Sequence, residues 1–145
     1  MSPFERVVRA EIMAQFRRSG DVPTTSSVAR AIAGSPREVE AAFEALAAAH
    51  ALVLQPGTHQ IWMAHPFSGV PTAHHVEIGD RVWSANCVWD GLALLALLGD
   101  GALTTRAGGG GAPLRFDVRD GRVRGDGVVH FLVPARAFWA DIGFT

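Results

Sequence analysis

The sequence is poor in residues that often define a protein's chemistry: it has one cysteine, Cys87, and no lysine. A single cysteine excludes a disulfide within the chain, which fits a reducing cytoplasm. Charged residues make up 19% and the formal net charge is −1, so no strong field favours nucleic acid or an anionic membrane. The longest apolar run, residues 91–99, is too short to span a bilayer. The N-terminus lacks signal-peptide features, so we expect a cytoplasmic protein without a membrane partner.

The first third of the sequence has the pattern of three helices followed by a hairpin. Apolar side chains recur at helical spacing, serines and threonines provide N-caps, and a proline stands at a first helical position. The predicted elements are helices at residues 4–18, 28–33 and from Pro36, and strands at 51–54 and 60–63. This order is typical of a winged helix, so we predict a winged-helix-like three-helix module over residues 1–65.

A winged helix suggests DNA binding, but the charges of the third predicted helix argue against it. That helix has one positively charged residue, Arg37, and three negatively charged residues, Glu38, Glu40 and Glu44. Phosphate contacts dominate affinity for DNA, and an acidic helix repels them. We therefore do not expect a nucleic-acid partner, and the alternative is that the module is a scaffold or a cap over the second half.

The second half is predicted to be rich in strands. Residues 64–71 contain two prolines and a glycine and are interpreted as a linker. Beyond it we predict strands at residues 75–78, 81–83, 102–106, 114–118 and 128–133, with one buried helix after Cys87. Asp120-Gly121 predicts a hairpin turn. The fold class is therefore α+β, with a β-rich core over residues 72–145.

Cys87 and Asp90 are the strongest candidates for chemistry. If Ser84 or Asn86 caps the following helix, Cys87 lies in its first turn, where the helix dipole favours a thiolate. Residues three apart share a helix face, so the Asp90 carboxylate comes near the sulfur and disfavours the thiolate. A proton shared between the two groups is one resolution, with Asp90 as proton acceptor and later general acid. The alternative is a buried structural cysteine beside a capping aspartate.

Other residues suggest weaker hypotheses. His74 and His75 could complete a metal site with Asp90, but zinc-ligand spacing is missing and both are interpreted as linker residues. His130 is expected to be a hydrogen-bonded core residue within its strand. Trp89 could form the wall of an apolar substrate pocket, although core packing is the expectation.

Several segments of the sequence, taken together, resemble the organomercurial (alkylmercury) lyases. The resemblance rests on Trp83–Gly99 with its Cys-x-x-Asp motif, on Gly111–Leu114, on His130–Pro134 and on Trp139–Thr145. That family also has a winged-helix-like module ahead of a β-rich core, so the likeness extends over nearly the whole chain. The combination of ordered segments is more specific than the Cys-x-x-Asp motif alone.

The resemblance implies an activity and roles for two residues. The family cleaves carbon–mercury bonds by protonolysis, and Cys87 matches its first cysteine while Asp90 matches its carboxylate. Both residues would be catalytic and mercury-binding, since mercury is soft and prefers thiolate. The resemblance implies a small organometallic substrate, no organic cofactor, external thiols that assist release of Hg(II), and transfer of Hg(II) to a mercuric reductase.

The sequence departs from the family pattern at the second catalytic cysteine. In the family that residue follows the segment that resembles Phe138–Thr145, where the present sequence stops. Two explanations are open: a truncated form, or a shortened relative with other chemistry. Without the second cysteine we expect impaired lyase activity. We therefore keep as alternatives a non-catalytic relative that binds or senses soft metals, and a relative with different Cys/Asp chemistry.

Overall fold

The computed structural model describes residues 1–143, so Phe144 and Thr145 of the lyase-like segment lie outside the described residues. The α-helices are α1 Pro3–Ser19, α2 Thr25–Ala31, α3 Pro36–Ala48 and α4 Val88–Leu98. The strands are β1 Val53–Leu54, β2 Ile61–Ala64, β3 Phe67–Ser68, β4 His75–Ile78, β5 Arg81–Ser84, β6 Gly101–Arg106, β7 Pro113–Arg119 and β8 Arg122–Arg124. Short 3₁₀ helices cover Gly108–Gly110 and Ala135–Ala140. The α+β class is thus confirmed.

Local sequence signals define the first three helices. Ser2 and Glu5 form a capping box at the start of α1, and Thr24 and Ser27 form another at the start of α2. Pro36 opens α3, as predicted. The predicted helices therefore exist with small shifts of their ends, while the winged-helix assignment of this module stays a prediction.

A three-stranded antiparallel sheet follows, in the order β1-β2-β3. Its last strand lies inside the segment predicted to be a linker, so that prediction was wrong for residues 67–68. Met63 pairs with Ser68 and Ala64 with Phe67. Pro66 stands in the turn between the strands, where its missing N–H removes no ladder hydrogen bond.

The larger sheet carries the second half of the chain. It is antiparallel, in the order β5-β4-β6-β7-β8, and α4 packs on it through β4 and β6. The turn between β7 and β8 is the predicted one, with positive φ at Asp120 (51°) and Gly121 (68°). No helix in the described residues is both long and apolar enough to cross a membrane.

The strand predicted at residues 128–133 is wrong. Residues 125–134 pair with no strand of the described structure and lead into the 3₁₀ helix at residues 135–140. Val128 is 93% exposed and Leu132 is 75% exposed, so the apolar alternation does not mark a half-buried strand. His130 is likewise exposed rather than a core residue.

Contacts between α1 and the sheets make one continuous core. The Phe16 and Phe67 rings stack with centroids 5.1 Å apart. The indole N–H of Trp83 donates to the Phe16 carbonyl oxygen at 2.8 Å. Residues 1–65 and 72–145 thus share buried contacts, and the division into two domains at this point stays a prediction.

Candidate functional site

Cys87 is itself the N-cap of α4, so the prediction that it lies in the first turn was wrong by one position. Its backbone is extended (φ −148°, ψ 178°), and its Sγ accepts a hydrogen bond from the Asp90 backbone N–H at 3.4 Å. The thiol thus takes the capping role that serine or threonine usually has. The helix begins directly beneath the sulfur, with Asp90 in its first turn.

The surroundings of Cys87 favour the neutral thiol. Partial burial is the main cause that raises the pKa of the thiol above its ordinary value, and the charge and hydrogen bond of the Asp90 carboxylate raise that pKa further. The backbone N–H groups of Asp90 and Trp89 act in the opposite direction and lower it. The sulfur therefore keeps its proton at neutral pH, next to a group that can accept that proton.

The Asp90 carboxylate is held by side chains from two other parts of the chain. The Asn86 side-chain amide nitrogen lies 3.1 Å from Asp90 Oδ2, and the His65 Nδ1 lies 3.2 Å from the same oxygen. The Asp90 side chain is 14% exposed, so it is accessible from the cavity yet largely removed from solvent. The sequence analysis predicted that Cys87 and Asp90 lie close together, but it did not identify Asn86 and His65 as partners of Asp90.

A cavity of about 470 Å³ opens over this group. One part of its lining is polar and consists of His65, His74, Asn86 and Asp90. The remaining lining is mostly apolar or aromatic and includes Met63, Trp89, Phe131, Phe138, Trp139 and Ile142. Because Cys87 also lines the cavity, a molecule bound to its sulfur meets both a carboxylate and an apolar surface.

A second, smaller cavity of about 150 Å³ also includes Cys87 in its lining. Its other lining residues are Val88, Val129, His130, Phe131, Leu132, Val133 and Phe138. Of these two cavities Asp90 lines only the larger, so the carboxylate and the larger space lie on the same side of the thiol.

Trp89 does not pack in the core, contrary to the expectation. It is 57% exposed, and its ring meets that of Phe131 edge to face with centroids 6.0 Å apart. Phe131 in turn contacts Phe138, with centroids 5.5 Å apart. These three aromatic rings form a continuous apolar wall beside the thiol.

His74 lies in the segment between β3 and β4 and lines the cavity, whereas His75 is the first residue of β4, so the linker interpretation was wrong for His75. The Nδ1 of His74 lies 2.6 Å from the hydroxyl oxygen of the buried Thr105. Burial, and secondly the charge of His75, lower the pKa of His74, against an opposite effect of Asp90. Within residues 1–143 no three His, Cys, Asp or Glu side chains are grouped so that they could hold a metal ion. The hypothesis of a His–Asp metal site therefore gains no support.

The partners of Asp90 were missed because the fold brings them together over distance. His65 precedes Asp90 by 25 positions and lies in the turn between β2 and β3, which the sequence assigned to a linker. Asn86 stands next to Cys87 and was considered only as a helix cap. Its position four residues before Asp90 was the one local signal that could have identified it.

The second half of the chain is similar to a known protein family. Residues 67–144 match the family model described as MerB, alkylmercury lyase.

The chain belongs to the alkylmercury lyase family. A solved structure, described as the mercury-bound form of MerB2, is 25% identical to it and superposes with a TM-score of 0.63. The alignment covers 83% of this chain and 57% of that chain, so the present chain spans little more than half of that protein. No curated protein matches this chain. Family membership confirms the resemblance inferred from the sequence.

Proposed function

We propose that this alkylmercury lyase family member cleaves carbon–mercury bonds of small organomercurials, with Cys87 as the sulfur ligand and Asp90 as the proton carrier. One observation carries the proposal: the thiol and the carboxylate meet at the start of α4, in a cavity that is polar around Asp90 and aromatic elsewhere. Such a cavity suits a substrate that has a soft metal at one end and an organic group at the other.

The first step transfers the thiol proton. The Asp90 carboxylate accepts the proton of Cys87, and the resulting thiolate forms a sulfur–mercury bond to the substrate R–Hg–X while X⁻ leaves. The raised pKa of Cys87 keeps the proton on the sulfur until substrate arrives. Binding of mercury to sulfur then favours its release, because the metal stabilises the thiolate.

The second step returns the proton to carbon. The protonated Asp90 donates to the carbon bound to mercury, and the electron pair of the carbon–mercury bond forms the new C–H bond. The products are the hydrocarbon R–H, Hg(II) on the Cys87 sulfur, and an ionised Asp90. The carboxylate is thereby restored, and neither step needs an organic cofactor.

External thiols complete the cycle in this proposal. A small thiolate can occupy the open coordination position of the bound Hg(II), because mercury favours sulfur ligands. A further small thiol can then displace the metal from Cys87 and give its own proton to the released Cys87 thiolate, which restores the starting state. A mercuric reductase would then receive the metal. Such thiols are co-substrates in excess, and the rate of later turnovers should depend on their concentration.

The test is hydrocarbon release from phenylmercuric acetate in the presence of excess thiol. We expect benzene, detected by gas chromatography, over many turnovers. Cys87→Ser should abolish the release, and Asp90→Asn should reduce it by about 10²–10⁴-fold, as expected for loss of a general acid. Asp126→Asn, at an exposed position outside both cavities, is the control and should behave as wild type. Mercury bound in stoichiometric amount without benzene would contradict the proposal and favour the soft-metal binder instead.

A further inference from the structure

We propose that His65 and Asn86 are positioning residues that together hold the Asp90 carboxylate in the orientation needed for proton transfer. This inference rests on the proposed function, because it concerns how Asp90 performs its role. It adds two residues outside the Cys-x-x-Asp motif, contributed by two different parts of the fold.

The hydrogen-bond donors can be assigned from the geometry. The side-chain amide of Asn86 has two hydrogens, and its nitrogen lies 3.2 Å from the Phe67 carbonyl oxygen and 3.1 Å from Asp90 Oδ2. Both hydrogens are thus used, and the 3.4 Å separation from His65 Nδ1 is not a third bond. An ionised carboxylate only accepts, so His65 Nδ1 carries a hydrogen and donates it to Oδ2 over 3.2 Å.

Several separate contacts fix these two donors. His65 lies in the turn between β2 and β3. Its ring also contacts the ring of Trp139 edge to face, with the ring centroids 6.4 Å apart. Asn86 lies between β5 and α4 and is held by the Phe67 carbonyl. A backbone bridge between Phe67 and Ala85 joins the two regions. Both donors therefore belong to backbone segments that neighbouring segments hold in place, and this positions them precisely relative to Asp90.

When the amide nitrogen of Asn86 contacts Asp90, the side-chain oxygen of Asn86 is left without a hydrogen bond. This oxygen, Oδ1, is buried and has no hydrogen-bond partner among the described residues. A buried unpaired acceptor has a cost for folding, so the two contacts of the amide nitrogen, with Phe67 and with Asp90, must offset it. An alanine at this position would lose both contacts.

Two donors on one carboxylate oxygen restrict rotation of the carboxyl group. Asp90 must first face the sulfur of Cys87 and then the carbon on mercury, which are adjacent points. A freely rotating carboxyl group would lose this alignment, while binding of mercury to the sulfur would be unaffected. The expected defect is therefore in kcat and not in KM.

The kinetic test compares variants that remove or keep the donors. His65→Ala and Asn86→Ala should each lower kcat about 10–100-fold, the range found when a supporting hydrogen bond is lost, with KM changed less than about twofold. His65→Asn places an amide N–H near the position of Nδ1 and should restore most of kcat. His59→Ala is the matched control, since His59 forms a similar pair with Glu44 at 2.8 Å away from the site. Unchanged kcat in both alanine variants, or a defect confined to KM, would overturn the inference.

A spectroscopic test is independent of turnover. ¹⁵N-resolved spectra of the imidazoles should show His65 as the Nδ1–H form in the wild-type chain, and that preference should disappear in Asp90→Asn. A wild-type His65 with its proton on Nε2 alone would overturn the inference even if benzene is released. Nδ1–H without any benzene release would instead refute the proposed function and support the contact.

Discussion

Asp90 acts on the sulfur of Cys87 in two opposite ways. Its backbone N–H donates to Sγ at 3.4 Å, which favours the thiolate, while its carboxylate raises the pKa of the thiol by charge and by a hydrogen bond. The same residue thus orients the sulfur and, after burial as the main cause, helps to raise the pKa of the thiol. This arrangement keeps available the proton that the proposed cleavage needs, without making the free thiol strongly reactive.

Asp90→Asn separates these two effects, because it removes the charge and keeps the backbone N–H. We expect the pKa of Cys87 to fall, since only burial then raises it while the N–H groups of Asp90 and Trp89 still lower it. Ultraviolet absorbance of the thiolate as a function of pH measures this change. Asp126→Asn should leave the titration unaltered. A thiol pKa that stays the same or rises in Asp90→Asn would show that the carboxylate does not act on the sulfur.

His74 should contribute to the pH dependence of stability. Its pKa is lowered in the folded chain, first by burial, so folding favours the neutral ring. The stabilisation is then fully present above the unfolded value of about 6.5 and is lost as pH falls through the folded value. We expect the free energy of urea unfolding to drop less between about pH 7.5 and pH 5 in His74→Asn than in wild type. His130→Asn, at an exposed site, should keep the wild-type dependence.

Much of the fold followed from local signals, and the errors lie where partners are distant. Pro36 and the Asp120-Gly121 turn are correct because a backbone preference within a few residues decides them. The strand at residues 67–68 exists only because residues 63–64 pair with it. Residues 128–133 have strand composition but follow the edge strand β8 without pairing to it, and residues 129–133 line a cavity instead.

The residues of the candidate site also fall into two groups, those that local spacing predicts and those that depend on distant contacts. Cys87 and Asp90 could be predicted because three-residue spacing at a helix start places them together whatever the rest of the fold does. His65 could not, since its contact depends on the register of the small sheet and on the bridge between Phe67 and Ala85. The position of Trp89 was predicted wrongly because the sequence around a large aromatic residue is the same whether the side chain packs in the core or borders a cavity.

The aromatic wall should set a preference for aryl over short alkyl groups. Phe131 lines both cavities and contacts Trp89 and Phe138, so it is the central ring of the wall. Phe131→Ala should lower kcat/KM for phenylmercury about tenfold, since loss of apolar contact of this size changes discrimination by about 1–3 kcal/mol, and should change methylmercury less. Benzene and methane release give the two rates. Leu97→Ala, an exposed apolar site on α4 outside both cavities, is the control, and an unchanged ratio in Phe131→Ala would refute the preference.

Gly91 is one of the buried residues of α4, and its lack of a side chain allows the start of the helix to lie close to Leu103 of β6. A Cβ at this position would lie 2.5 Å from Cδ1 of Leu103, a fully buried side chain that would have to shift. Alanine gains about 0.5–1 kcal/mol in helix preference, but overpacking costs about 1–3 kcal/mol, so Gly91→Ala should destabilise the chain by about 1–2 kcal/mol. Urea unfolding measures the loss, and Gly108→Ala, where a Cβ meets nothing within 4 Å, should stay near wild type. Leu103→Val in the Gly91→Ala background should recover part of the stability by making space. If Gly91→Ala instead raises stability, the close contact between α4 and β6 does not constrain the helix that carries Cys87 and Asp90.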